Sequence, residues 1–174
     1  RFCYDRPFHS PATTNPNTLV IDGFSKSHSM TGWRLGFAHG PASIIEQMIK
    51  LQQFTFVCAP HPVQWAGLAA LDVDVSPHVE DYRRKRDRLV EKLSADFRIG
   101  GGAGAFYLFL EPPGGNGTRF VEQAIPHGLL IVPGSVFSQY DSHIRVSFAV
   151  DDQTLDTGAN LLVQLARQLQ SEPE

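Results

Sequence analysis

Two cysteines in 174 residues, Cys3 and Cys58, leave no basis for a disulfide framework. The setting expected from this is reducing and cytoplasmic. No apolar run approaches the length that a membrane span needs, and no signal-peptide pattern opens the sequence. Charge of neither sign dominates: 15 Lys and Arg against 18 Asp and Glu give a net charge of −3, with a charged fraction of 19%. Nucleic acid and membrane surfaces are therefore not expected partners. The seven histidines are scattered and none pairs with Cys, Asp or Glu at ligand spacing, so no metal site is expected. Internal repeats are lacking too. The chain opens Arg1-Phe2-Cys3-Tyr4 without Met, which reads as a chain cut within a domain.

What is present is a 42% hydrophobic composition, enough for a core in one domain or two small ones. Leu19 to Asp22 reads as a short buried strand, and Trp33 to His39 as a second, with Leu35 and Phe37 on one side and Arg34 on the other. Pro41 suits a helix start, and Ile44, Ile45, Met48 and Ile49 supply that helix with an apolar face to about Phe54. A Pro-punctuated break precedes a small-residue helix over Val63 to Leu71. Ser76-Pro77 reads as a cap and first-turn proline of a helix reaching about Asp96, with Val79, Tyr82, Leu89, Val90 and Leu93 as its buried stripe. The boundary between an N-terminal part, 1–74, and a C-terminal part, 75–174, is placed near Asp74.

Beyond it come a glycine-rich connection at Gly100 to Gly104, an apolar strand at Phe106 to Leu110 and a turn at Pro112 to Gly117. A short helix at Thr118 to Pro126 and a brief strand at Leu129 to Val132 follow. Ile144 to Ala149 alternates, placing Ile144, Val146 and Phe148 on one face and Arg145 on the other. Asp151 or Asp152 caps a final helix with the stripe Leu155, Ala159, Leu162, Ala166 and Leu169. The last few residues are polar and expected to fray.

One stretch speaks of chemistry: Phe24-Ser25-Lys26-Ser27-His28-Ser29-Met30-Thr31-Gly32-Trp33-Arg34-Leu35-Gly36. A lysine sits in a loop of small and hydroxyl residues after a strand, and an arginine follows eight residues on between two glycines. An amine that attacks a carbonyl must spend part of each cycle neutral, which burial and neighbouring positive charge favour. A guanidinium supplies planar, multidentate donors for phosphate.

This stretch resembles the lysine loop of the fold-type I, pyridoxal-phosphate-dependent aminotransferases of the class I/II group. The resemblance continues in order through Gln64, Ala66 and Ala70-Leu71, Gly104-Ala105-Phe106-Tyr107, Val132-Pro133-Gly134-Ser135 and Ile144-Arg145-Val146-Ser147-Phe148-Ala149. It implies an α/β fold made of the end of a large cofactor domain plus a small α+β domain. Pyridoxal 5'-phosphate is the implied cofactor, with Lys26 as its Schiff-base lysine and Arg34 and Ser25 as phosphate ligands. Arg145 is implied to bind the substrate α-carboxylate. Amino acid and 2-oxo acid substrates and a homodimer are implied as well.

Many relatives place Ser three residues before the lysine; here Gly23 stands there, and Ser25 is the remaining side-chain candidate. The family's acidic partner of the pyridine nitrogen and its tyrosine near O3′ lie upstream of a stretch like Phe2-Cys3-Tyr4 and are not in this chain. The expectation is thus an aminotransferase in an intact parent, the isolated chain being inactive. A β-lyase or other α-carbon chemistry on the same fold, or a non-catalytic fragment, are the alternatives.

Other signals are read structurally. Gly100 to Ala105 satisfies a dinucleotide-loop pattern but lies between a helix and a strand in the wrong order. Arg83-Arg84-Lys85-Arg86 is interleaved with Glu80, Asp81, Asp87 and Glu91 at helical spacing and reads as a salt-bridged, solvated face. His28 is read as a solvent-facing loop residue and Cys58 as a small buried packing residue.

Overall fold

In the computed structural model, which describes residues 2–171, Cα proximity divides the chain into two units. The first runs from Pro7 to Pro77; the second joins Phe2–Arg6 to the residues from His78 onward. The expected fraying of the final residues falls on 172–174, outside the described residues.

The first unit is built on an antiparallel pair, β1 (Val20–Gly23) and β2 (Gly36–His39), in the register Val20↔His39 and Gly23↔Gly36. Helices α1 (Ala42–Gln53) and α2 (His61–Leu71) follow. Its buried apolar cluster is small: Phe24, Met30 and Ala70, with Leu35 and Ala66 packed against them. The expected burial of β1 and of the α1 face is not found. Ile21 is 73% exposed and α1 has no buried residue. The alternation and the helical stripe are there, but their cover is not among the described residues. Cys58, expected inside, is exposed.

The second unit carries a four-stranded antiparallel sheet in the order β3-β4-β6-β5, formed by β3 (Arg98–Gly100), β4 (Tyr107–Glu111), β5 (Val132–Pro133) and β6 (Ile144–Ser147). Helices α3 (Ser76–Leu93), α4 (Gly117–Ala124) and α5 (Asp152–Ser171) supply the rest of its core. Leu108 and Leu110 of β4 and Ile144 and Val146 of β6 point to one face. There they meet Leu89 and Leu93 of α3, Phe120 and Ala124 of α4, and Leu155, Ala159, Leu162, Leu165 and Ala166 of α5. Each fully buried side chain of this size contributes about 1.5–3 kcal/mol, so this cluster dominates the unit's stability. Strand β3 was not expected, because Arg98-Ile99-Gly100 is too short and too exposed to show an alternation.

Caps define the helix starts. Asn116 Oδ1 accepts from Arg119 N at 2.9 Å ahead of α4, and Asp151 Oδ1 accepts from Thr154 N at 2.9 Å ahead of α5. Ahead of α3 the acceptor is Asp74, which takes the Ser76 N–H at 2.9 Å, rather than the Ser76 hydroxyl.

The α3 charges behave as expected except at Lys85, which is half-buried and also donates to Val150 O at 2.8 Å, and at Arg86. Arg83 pairs with Glu80, and Arg84 and Lys85 pair with Asp81. Arg86, by contrast, is 7% exposed. Its Nη1 and Nη2 reach Asp5 at 3.0 and 2.9 Å, its Nε reaches Asp87 at 2.6 Å, and it also donates to the Gly102 carbonyl. Its guanidinium lies 5.0 Å from the Tyr4 ring centroid. A solvated face is therefore the wrong description of this residue; its partner stands 81 positions away in the chain. Tyr4 N donates to Ala103 O at 2.9 Å and Ala105 N to Phe2 O at 2.8 Å, so the N-terminal segment is stitched to the 103–105 loop beside Arg86.

Candidate functional site

Candidate residues fall in both units, and each group is built locally. In the first unit the loop from Phe24 to Leu35 is closed by the β1–β2 pairing and by Phe24 N donating to Leu35 O at 3.2 Å. Close strand approach is required at its base: a Cβ on Gly36 would lie 2.9 Å from Asp22 O. Phe24 and Met30 turn inward and fix the loop on α2. The small residues of α2 make this possible, since a Cβ on Gly67 would stand 2.4 Å from Leu35 Cδ2. The Ala- and Gly-rich pattern of α2 is thus a docking surface for the lysine loop.

On that base, Ser25 and Lys26 occupy a turn, Lys26 exposed and Ser25 half-buried. Thr31 Oγ1 donates to Ser25 O at 2.7 Å, and Arg34 Nη1 donates to Thr31 O at 3.2 Å. Thr31 therefore links the backbone at Ser25 to the side chain of Arg34, a role not expected from the sequence. Arg34 also departs from the expected strand position. It follows the 3-10 turn Thr31–Trp33 with φ 55° and ψ 42°, a left-handed conformation. Ser29 shares that region at φ 55°. Such backbone costs on the order of 1 kcal/mol per non-glycine residue and persists where its surroundings hold it.

The donor set decides what this loop can hold. Ser25, Lys26, Ser27, Thr31 and Arg34 bring an ammonium, a guanidinium and three hydroxyls. Among the described residues no carboxylate ion-pairs with Lys26 or Arg34. The nearby Asp22 turns its Oδ1 to Gly23 N at 2.7 Å. Gly32 adds open space, a Cβ there meeting nothing within 4 Å. An aldehyde-bearing phosphate ester fits this set: an amine for the carbonyl, and the Arg34 guanidinium and Ser25 hydroxyl as donors for the phosphate, the Thr31 hydroxyl being given to Ser25 O and that of Ser27 paired with His28 Nδ1.

In the second unit Arg145 lies in β6 opposite Phe109 of β4, on the sheet face away from the core, as its alternation predicts. It is half-buried. Its guanidinium carbon sits 4.3 Å from the Tyr107 ring centroid and 4.3 Å from that of Phe137. Among the described residues no acidic group pairs with it. On the same face, Phe109 stacks on His143 with centroids 4.7 Å apart and planes within 6°. Tyr107 and Phe137 were not singled out from the sequence. The signal for Tyr107 was its even strand spacing from the Arg145 partner Phe109; Phe137 comes from a loop and gave none.

Comparison with known proteins identifies the family. The model of the family "Aminotransferase class I and II" matches residues 2–162, and the chain belongs to that family. Members of the family use pyridoxal phosphate, and the fold is the α/β fold of the C-terminal half of fold-type I aminotransferases. A probable N-acetyl-LL-diaminopimelate aminotransferase of Bacillus subtilis is 37% identical over 171 residues, covering 91% of this chain and 43% of the relative. An aspartate/prephenate aminotransferase of Thermus thermophilus is 32% identical over 162 residues, covering 87% and 42%. The crystal structure of an aspartate aminotransferase from Thermotoga maritima superposes with a TM-score of 0.86 at 32% identity, over 98% of this chain and 45% of that one. The chain thus spans less than half the length of the curated relatives it matches.

Proposed function

We propose that these residues serve a pyridoxal-phosphate-dependent aminotransferase that moves an amino group from an amino acid to a 2-oxo acid, with this chain as its C-terminal portion. The observation that carries the reading is the 24–36 loop: an amine, a guanidinium and three hydroxyls gathered on one buried Phe24–Met30 base, with no acidic partner for either cation among the described residues. Lys26 offers Nζ as the anchoring amine. Arg34 and Ser25 donate to the phosphate. Pyridoxal phosphate, when bound, supplies the electron sink for chemistry at the substrate α-carbon. Lys26 Nζ takes and returns the α-proton as general base and acid. Arg145 binds the substrate α-carboxylate and so sets which bond faces Lys26; its contribution is orientation.

On this reading the part before about Asp74 is the end of the large cofactor domain and the remainder is the small domain. The exposed apolar residues of the first unit, Phe54 at 87% among them, support its being covered by the rest of the enzyme and by a second subunit of a homodimer. The chain's two unpaired cysteines, Cys3 and Cys58, suit a reducing, cytoplasmic setting. No helix among the described residues is long and apolar enough to cross a membrane. The isolated chain is inactive on this view, since it holds part of the site.

Product analysis of the intact protein tests the assignment. Given one amino acid and one 2-oxo acid, it is expected to yield the exchanged pair without free ammonia. Release of ammonia and pyruvate from one amino acid, with no acceptor present, would point to a lyase instead.

A further inference from the structure

Six of the described arginines of the second unit share one kind of partner. Arg83, Arg84, Arg86, Arg88, Arg98 and Arg167 each meet a carboxylate within 4.0 Å. Arg145 meets two aromatic rings, each 4.3 Å from its guanidinium carbon. Carboxylate partners consume the N–H donors of a guanidinium; rings contact its π-face and leave the donor edge free. A half-buried arginine so flanked is discharged of local ion pairs yet restrained in orientation.

We infer that Tyr107 and Phe137 are positioning residues that hold the Arg145 guanidinium flat and present its donor edge to a carboxylate. The inference rests on the reading of Arg145 as the carboxylate ligand. Three features support it. Tyr107 and Arg145 stand on neighbouring paired strands, β4 and β6, whose register is fixed by the core residues on the opposite face, so the Tyr107 ring is carried on a rigid platform. Phe137 closes the short 3-10 turn Gly134–Val136, tied by Phe137 N donating to Gly134 O at 2.8 Å. Gly134 N in turn donates to His143 O at 2.6 Å, anchoring that turn to the residue two before Arg145. A Cβ on Gly134 would stand 2.7 Å from the same His143 oxygen, so the turn sits directly on the strand that carries the arginine. Both rings lie against the guanidinium without competing for its N–H donors, which leaves those donors for a bidentate bond to an incoming carboxylate. A lysine at 145 would gain neither the planar contact nor the fork.

The test uses the full chain and propionate as a carboxylate probe, read by NMR at the Arg145 Nε–Hε signal. The wild-type signal is expected to be displaced by ring currents, to sharpen on propionate binding and to follow a saturable titration. Tyr107→Leu combined with Phe137→Leu should erase the displacement and weaken propionate binding about fivefold to tenfold, whereas Tyr107→Phe keeps both. Should the double variant fail to fold, Phe137→Leu alone carries the test, because that ring is 51% exposed and outside the core. Unchanged displacement and affinity in the leucine variants would overturn the positioning role while leaving Arg145 as the ligand. Propionate binding that is equal in Arg145→Lys would overturn both. In the loaded enzyme the leucine variants should raise KM for the amino acid with kcat within about threefold; a fall in kcat at constant KM would contradict positioning.

Discussion

The first unit buries Phe24, Met30 and Ala70, whereas the second buries a contiguous cluster of sixteen side chains around its sheet. Most of the large exposed apolar residues, including Ile21, Phe54, Phe56, Trp65 and Leu68, lie in the first unit. The two regions therefore solve different problems. The second is a fold that holds itself together and presents one restrained arginine on its sheet. The first uses its few buried side chains to hold the lysine loop on α2 and leaves the rest of its apolar surface exposed. Exposed apolar patches of that extent are the surface on which the proposed covering by the rest of the enzyme and a second subunit rests.

Truncations should expose this contrast most sharply. Leu108→Ala in the second unit is expected to cost about 3–5 kcal/mol, read as a lower denaturant midpoint for that unit. Leu68→Ala, at a side chain 56% exposed in the first, should change stability by no more than about 0.5 kcal/mol. Equal effects would erase the distinction between the two regions.

A second break targets the fastening of the N-terminal segment. Arg86→Leu removes the bonds to Asp5, Asp87 and Gly102 and should cost about 2–3 kcal/mol. Proteolytic nicking near residues 2–6 should accelerate in parallel. Asn116→Ala, which removes the α4 cap, should cost about 1 kcal/mol, again visible in the second unit's melting.

The smallest effects concern pH. The Arg86 hydrogen bond holds the Asp5 carboxyl below the usual carboxylate range. A depressed folded pKa contributes stability above the unfolded value, and that contribution is lost as the pH falls below about 4. Burial, opposed by Arg86, pushes the Tyr4 phenol up to about 12. That raised value contributes stability below about pH 10 and loses it as the pH climbs towards 12. Thermal melts across pH 3 to 12 should thus fall at both ends. Tyr4→Phe should remove the alkaline limb, while the acid limb stays.

How much was legible follows the same division. The loop from Ser25 to Gly36 stood out because its residue types lie within twelve consecutive positions, and the face that Arg145 takes on its strand was readable because alternation is a local rule. Four of the five residues of the α5 stripe, Leu155, Ala159, Leu162 and Ala166, answer to a helix period and are buried, and Leu169 near the helix end is half-buried. Arg34 was misplaced on a strand because only two residues, the left-handed Arg34 and Leu35, separate the 3-10 turn from β2, and no side-chain pattern announces the break. Arg86 was misread because its partner Asp5 lies far away in sequence. Phe137 was missed because it reaches Arg145 through tertiary placement of a loop. Burial of Ile21 and α1 was expected from apolar patterning, which records what a surface needs and not which segment covers it.

The central claim is that Lys26 is the amine set up for the cofactor aldehyde, and borohydride trapping tests it most directly. The chain is mixed with pyridoxal phosphate, reduced and mapped by peptide mass. Lys26 should carry most of the label over Lys50, Lys85 and Lys92, and Arg34→Ala should reduce its share to that of the other lysines. Even labelling of all lysines, or a Lys26 share unaffected by Arg34→Ala, would contradict the account.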